Sequence, residues 1–133
     1  MRKDISIEKV TDVALAITTE LVEGNEEWYV YLLNLQSKNL EGLIINSKGY
    51  GKKEGKEIKT TTLRQFFEKV EAHSFVKIEL IDKQVFSINN EFWISYWQDQ
   101  KMFDKKFVFV AESIAIDYFT EIPILNKKGV MIR

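Results

Sequence analysis

An all-β fold, an antiparallel β-sandwich of immunoglobulin-like type, is what this chain predicts, and three features predict it. Short runs of β-branched and aromatic residues recur at intervals of about 8–15 residues, polar turns separate them, and no long segment sustains a helical period. Together they predict about seven to nine short strands with at most one short helix, in one domain over residues 1–133. At 133 residues folding buries roughly two-thirds of the surface of the unfolded chain, enough for a core that needs no covalent staples.

The opening segment is ambiguous. Ile7, Val10, Ala14, Ile17 and Leu21 fit a helical stripe, whereas Val13, Leu15 and Ile17 alternate with Ala14, Ala16 and Thr18. The crowding of β-branched residues favours a strand over residues 12–21, turning at Glu23-Gly24-Asn25-Glu26. Residues 28–35, Trp-Tyr-Val-Tyr-Leu-Leu-Asn-Leu, are apolar on both alternations and belong in the middle of a sheet. After a turn at Gln36-Ser37-Lys38-Asn39, a strand over 40–46 puts Leu43 and Ile45 on one face and Ile44 and Asn46 on the other.

Residues 47–57 hold Gly49, Gly51 and Gly55 among Lys48, Lys52, Lys53 and Lys56, which predicts a long solvated loop. Gly51-Lys52-Lys53 lacks the hydroxyl and the glycine spacing of a phosphate-binding loop. The stretch from Thr60 to Val70 reads as a strand through about Phe67 because of its three threonines, with a threonine-capped helix as the alternative. Phe75 to Ile81 alternates Val76, Ile78 and Leu80 against Lys77 and Glu79, the pattern of a half-buried strand. Asp82-Lys83-Gln84 turns into a short apolar piece, Val85 to Ile88. Beyond Val110 the chain has Ile114 to Phe119, its only proline, Pro123, and a hairpin-like tail turning through Asn126-Lys127-Lys128-Gly129.

The densest apolar run, Phe92 to Val110, is split by one polar turn. A two-residue turn at Asp99 and Gln100 pairs Trp97 with Met102, Tyr96 with Phe103, Ser95 with Asp104, Ile94 with Lys105, Trp93 with Lys106 and Phe92 with Phe107. A three-residue turn would exchange these pairings. One face then carries Phe92, Ile94, Tyr96, Phe103 and Phe107, a core surface. The other carries Trp93, Trp97, Met102, Val108 and Val110 beside Ser95, Asp104 and Lys106. That second face is the candidate interface, since it is too apolar to leave in water and too polar for a core. Three covers are open: another segment of the chain such as the N-terminal stretch, a second copy or other protein, or a small ligand.

Composition narrows the chemistry. With 45% hydrophobic and 29% charged residues the chain is globular rather than disordered. Nineteen basic against 20 acidic side chains give a net charge of −1, so no global field draws in nucleic acid or anionic lipid. The absence of cysteine rules out disulfides and thiolate sites and makes the cytoplasm the expected location. The first residues never reach the apolar core of a signal peptide, so the whole chain is expected to persist, and no uncharged apolar run is long enough to span a membrane as a helix.

No catalytic, cofactor or metal site is expected. His73 is the only histidine and reads as a turn residue, and Ser74 beside it lacks a nucleophile-elbow context. Glu79, Asp82 and Glu91 would form a carboxylate site only if turns converged them in a cleft. Lys52, Lys53, Lys56, Lys105, Lys106, Lys127, Lys128 and Arg133, with Tyr29, Tyr31 or Trp93 as stacking platforms, would form a nucleic-acid face only if clustered, and acidic residues interleave with most of them.

Residues 28–34, the run Asn90 to Tyr96, Met102 to Phe107 and the ending Ile122 to Val130 resemble a group of short, uncharacterised bacterial proteins, members of which carry the label of a phenylalanyl-tRNA synthetase subunit. The resemblance covers most of the chain and implies a small domain of similar length. It supplies no functional residues, because the arginine-bearing ATP motifs of a class II synthetase have no counterpart here. The expected function is a non-enzymatic protein–protein interaction domain, a homodimer in the first instance. The alternatives are a nucleic-acid or tRNA-associated accessory domain and a small enzyme with a carboxylate site.

Overall fold

The computed structural model describes residues 7–133, and the expectation for the opening residues 1–6 lies outside them. In chain order the strands are β1 (Ile7–Glu8), β2 (Val13–Val22), β3 (Asn25–Asn34), β4 (Leu40–Lys53), β5 (Lys56–Lys59), β6 (Leu63–Val70), β7 (Ser74–Ile81), β8 (Asn89–Gln98), β9 (Lys101–Phe109), β10 (Thr120–Ile122) and β11 (Lys127–Ile132). They form an all-β sandwich. One sheet runs β10-β11-β2-β3-β7, and the other runs β1-β9-β8-β4 with β5 and β6 following one another along the far edge of β4. All pairings among them are antiparallel except the two-residue contact of β1 with β9.

Local turn chemistry sets three of the hairpins. β2–β3 turns at Glu23 and Gly24, β4–β5 at Glu54 and Gly55, and β8–β9 at Asp99 and Gln100, each pair with positive φ. Two successive residues of positive φ match the twist of the flanking strands, which is why two-residue loops of this kind close hairpins. The β8–β9 register is the one predicted from the sequence, and Tyr96 stacks on Phe103 with ring centroids 5.1 Å apart.

The main core lies between the sheets. Leu15, Ile17, Val30 and Leu32 from one sheet meet Leu43, Ile45, Phe92, Ile94, Tyr96 and Phe107 from the other. β3 is buried on both faces, as its unbroken apolar run predicts. Tyr31 and Leu33 face away from the main core and are covered, with Ala14 and Ala16, by Ile122 and Leu125.

Four sequence expectations change. Residues 47–57 are not a loop: β4 continues through Gly49 and Gly51 to Lys53 and turns directly into β5. The two glycines serve packing there, since a Cβ on Gly49 would lie 3.0 Å from Ile88 Cδ1 and one on Gly51 would lie 3.1 Å from Ile88 Cγ2. The short apolar piece before β8 is a 3-10 turn, Lys83–Ser87, whereas the strand favoured within Thr60 to Val70 is present as β6. The tail hairpin turns at residues 123–126 rather than at Asn126 to Gly129. Ile124 and Asn126 adopt positive φ, and Lys127 to Gly129 pair with β10.

The fourth change is in β7. Val30 pairs with Glu79 but Tyr31 pairs with Lys77, so Ile78 is an extra residue, a β-bulge. Beyond it the alternation inverts. Leu80, expected inside, is 58% exposed, and Glu79, expected outside, turns between the sheets.

Candidate functional site

The outer face of the six-stranded sheet is built row by row from the strand pairings. Ile44 on β4 pairs with Phe66 on β6 and Ser95 on β8, and Ser95 pairs with Asp104 on β9. The adjacent row is Arg64, Asn46, Trp93 and Lys106. On the other side Trp97 pairs with Met102, and its indole Cδ1 lies 3.7 Å from where a Cβ on Gly42 would stand. Gly42 has φ +55° at a register shift in β4. A Cβ there would make only ordinary van der Waals contact with Trp97, so it is the positive φ that favours glycine at this position.

Polar neighbours hold Trp93 in place. Its indole N–H donates to Asp104 Oδ1, which also accepts from Ser95 Oγ at 3.4 Å. Lys106 Nζ lies 5.5 Å from the Trp93 ring centroid, and Arg64 Nε donates to Asn46 Oδ1 at 3.0 Å. Even so, Trp93 is 43%, Trp97 47% and Phe66 63% exposed, so of the three covers left open by the sequence, another segment of the chain is not found among the described residues.

Of the five residues singled out in sequence, Trp93, Trp97 and Met102 share this surface. Val108 sits on the same face next to Glu91, while Val110 falls beyond β9 and lines a separate cavity with Tyr118 and Met131. Ile44 and Phe66 complete the apolar centre and were not found in sequence, because nothing local says which strands flank a hairpin.

The other candidate groups separate. Glu79 and Asp82 line one cavity of about 180 Å³, whereas Glu91 lies on the opposite face of the six-stranded sheet, 3.9 Å from Lys48 and 3.9 Å from Lys106. Tyr29 and Tyr31 are on the outer face of the five-stranded sheet, where Lys77 Nζ stands 3.8 Å over the Tyr29 ring, so they share no surface with Trp93. His73 is an exposed turn residue with φ 53°. Among the described residues no group of three or more His, Asp or Glu side chains is placed to hold a metal ion, and no helix is long and apolar enough to cross a membrane.

Glu79 accepts a hydrogen bond from Ser47 Oγ at 2.8 Å, and burial raises its pKa while that hydrogen bond opposes the rise. A carboxyl raised in the folded state binds its proton more tightly there than in the unfolded chain. Stability therefore falls as pH climbs from the ordinary Glu range through the folded pKa, and levels off above it. Glu79→Gln keeps an acceptor for Ser47 and removes the titration. The variant is expected to exceed the parent by about 0.5–2 kcal/mol above that pKa and to lose this pH dependence. Urea unfolding across pH checks it, and a variant less stable than the parent at neutral pH would refute the account.

No family model matches the chain, and no curated protein or solved structure is significantly similar to it.

Proposed function

We propose that the protein is a non-enzymatic, cytoplasmic interaction domain of immunoglobulin-like topology that self-associates through the outer face of the six-stranded sheet. The observation that carries the reading is the exposure of Trp93, Trp97 and Phe66 together on one sheet face. Large aromatics gathered at the centre of a surface are the side chains that dominate interface energetics. The topology part is supported by strand order: β2-β3-β7 in one sheet and β4-β8-β9 in the other follow the arrangement of strands A, B and E against C, F and G.

A second copy is the partner that the charges favour. Glu41, which pairs with Trp97, and Asp104 stand on this face with Arg64 and Lys106, so a two-fold axis can set acid against base, whereas a polyanion would meet the acids along with the bases. Size agrees as well. Four strands at about 4.8 Å and about ten residues at about 3.4 Å span roughly 19 by 34 Å, comparable once side-chain relief is added to the ~800 Å² per partner of a stable interface.

Light scattering coupled to size exclusion tests the reading. The parent is expected to be a dimer, and Phe66→Glu with Trp97→Glu a monomer of unchanged circular dichroism, since both positions are exposed. A parent that stays strictly monomeric at high concentration overturns it.

A further inference from the structure

The cavity beside Glu79 lies where the edges of the two sheets diverge. Its walls are Ser47 and Gly49 of β4, Thr60 and Thr61 in the link between β5 and β6, Leu63 of β6, Glu79 to Ile81 of β7 and the following Asp82, with Phe92 and Val85 also lining it. Its volume of about 180 Å³ is close to that of an engineered apolar cavity, about 150 Å³, that holds benzene.

Three observations concern the charge inside it. The bulge at Ile78 is what delivers the Glu79 carboxyl to this space, because unbroken alternation would leave it in water. Bulges of this kind re-aim side chains near functional sites. Second, Ser47 Oγ is the single hydrogen-bond partner of Glu79 among the described residues, and it engages only Oε1. Third, no described cation pairs with Glu79. Lys48 contributes to the lining, but its ammonium is directed to Glu91 across the sheet. Asp82, the other charged side chain here, uses Oδ1 to accept from Gln84 N–H at 2.8 Å and adds to the negative field. A half-buried anion without a counter-charge is costly, and a bound cation is the direct remedy.

We propose that this cavity is a binding site for a small primary ammonium compound with an apolar body of about six to eight heavy atoms. The ammonium donates to Glu79 Oε2, and the body packs against Phe92, Val85 and Ile81. The site is independent of the proposed self-association face, which lies on the other side of the six-stranded sheet, so either can fail alone.

Benzylammonium chloride is the probe, titrated into the full chain and followed by amide chemical shifts, with benzyl alcohol as the neutral control. Saturable shifts centred on Ser47, Glu79 and Phe92 are expected, and both Glu79→Gln and the alcohol control should weaken binding by about tenfold or more. A second measurement needs no variant. Below the ionisation of Glu79, parent affinity for the amine should fall about tenfold per pH unit, Asp82 and the Lys48–Glu91 pair being the other charged groups nearby. Lack of saturation, shifts centred on Trp93 and Trp97, equal binding of the alcohol, or a flat pH profile would each overturn the proposal.

Discussion

Gly129→Ala is expected to destabilise the protein by about 3 kcal/mol or more, at the upper end of what overpacking costs. Gly129 lies in β11 with β10 on one side and β2 on the other. A Cβ there would stand 2.4 Å from the Ile17 carbonyl oxygen, 3.2 Å from the Ile17 carbonyl carbon and 2.8 Å from Thr18 Cγ2. Two of these atoms are backbone of a buried central strand and cannot swing aside as a side chain tip does. Relief requires β11 to pull away from β2, exposing Val130 and Ile17. Gly24→Ala is the control: nothing lies within 4 Å of its Cβ position, so only its positive φ of 81° is penalised, by about 1 kcal/mol. Urea denaturation of both variants checks the contrast. Equal losses at the two positions would mean that the close approach at Gly129 is not as described.

Asn34→Asp, which changes one atom, is expected to cost about 3–5 kcal/mol at neutral pH, the scale of an uncompensated buried charge. Asn34 is fully buried at the end of β3. Its Nδ2 donates to the carbonyls of Lys38 at 2.8 Å, Glu71 at 3.0 Å and Val70 at 3.3 Å, and its Oδ1 accepts from Gln36 N–H at 3.1 Å. One amide thus joins the loop after β3 to the turn between β6 and β7. An aspartate would set a carboxylate against three carbonyl oxygens with no proton to offer them, although the Glu71 oxygen would keep its bond from Ser74 Oγ at 2.6 Å. Acidification protonates it and returns one donor, so the loss should shrink as pH falls. Unfolding at neutral and mildly acidic pH tests this, and a loss under about 1 kcal/mol at neutral pH would show that the network does not hold that end of the sandwich.

Neighbouring Gln98 extends the same network, donating through Nε2 to Gln36 Oε1 at 2.6 Å and Asn39 O at 3.1 Å. These amides were not singled out in sequence. An isolated Asn or Gln near a turn reads as a surface residue, and only the meeting of three separate turns buries it.

What the sequence determined by itself is whatever a few neighbouring residues decide. The all-β sandwich class, the burial of both faces of β3, and the β8–β9 register with its inner and outer faces were legible, because side-chain period and turn length are local. Only the tertiary structure decided the rest. Gly49 and Gly51 resemble a loop until Ile88 arrives against them from the segment before β8. Glu79 reads as solvent-facing until a bulge, set by the pairing of β7 with a strand more than forty residues earlier, turns it inward. Ile44 and Phe66 join Trp93 and Trp97 only once β4 and β6 are laid beside β8. In each case the deciding contact is distant along the chain, and its free energy comes from burial and pairing that no local window contains.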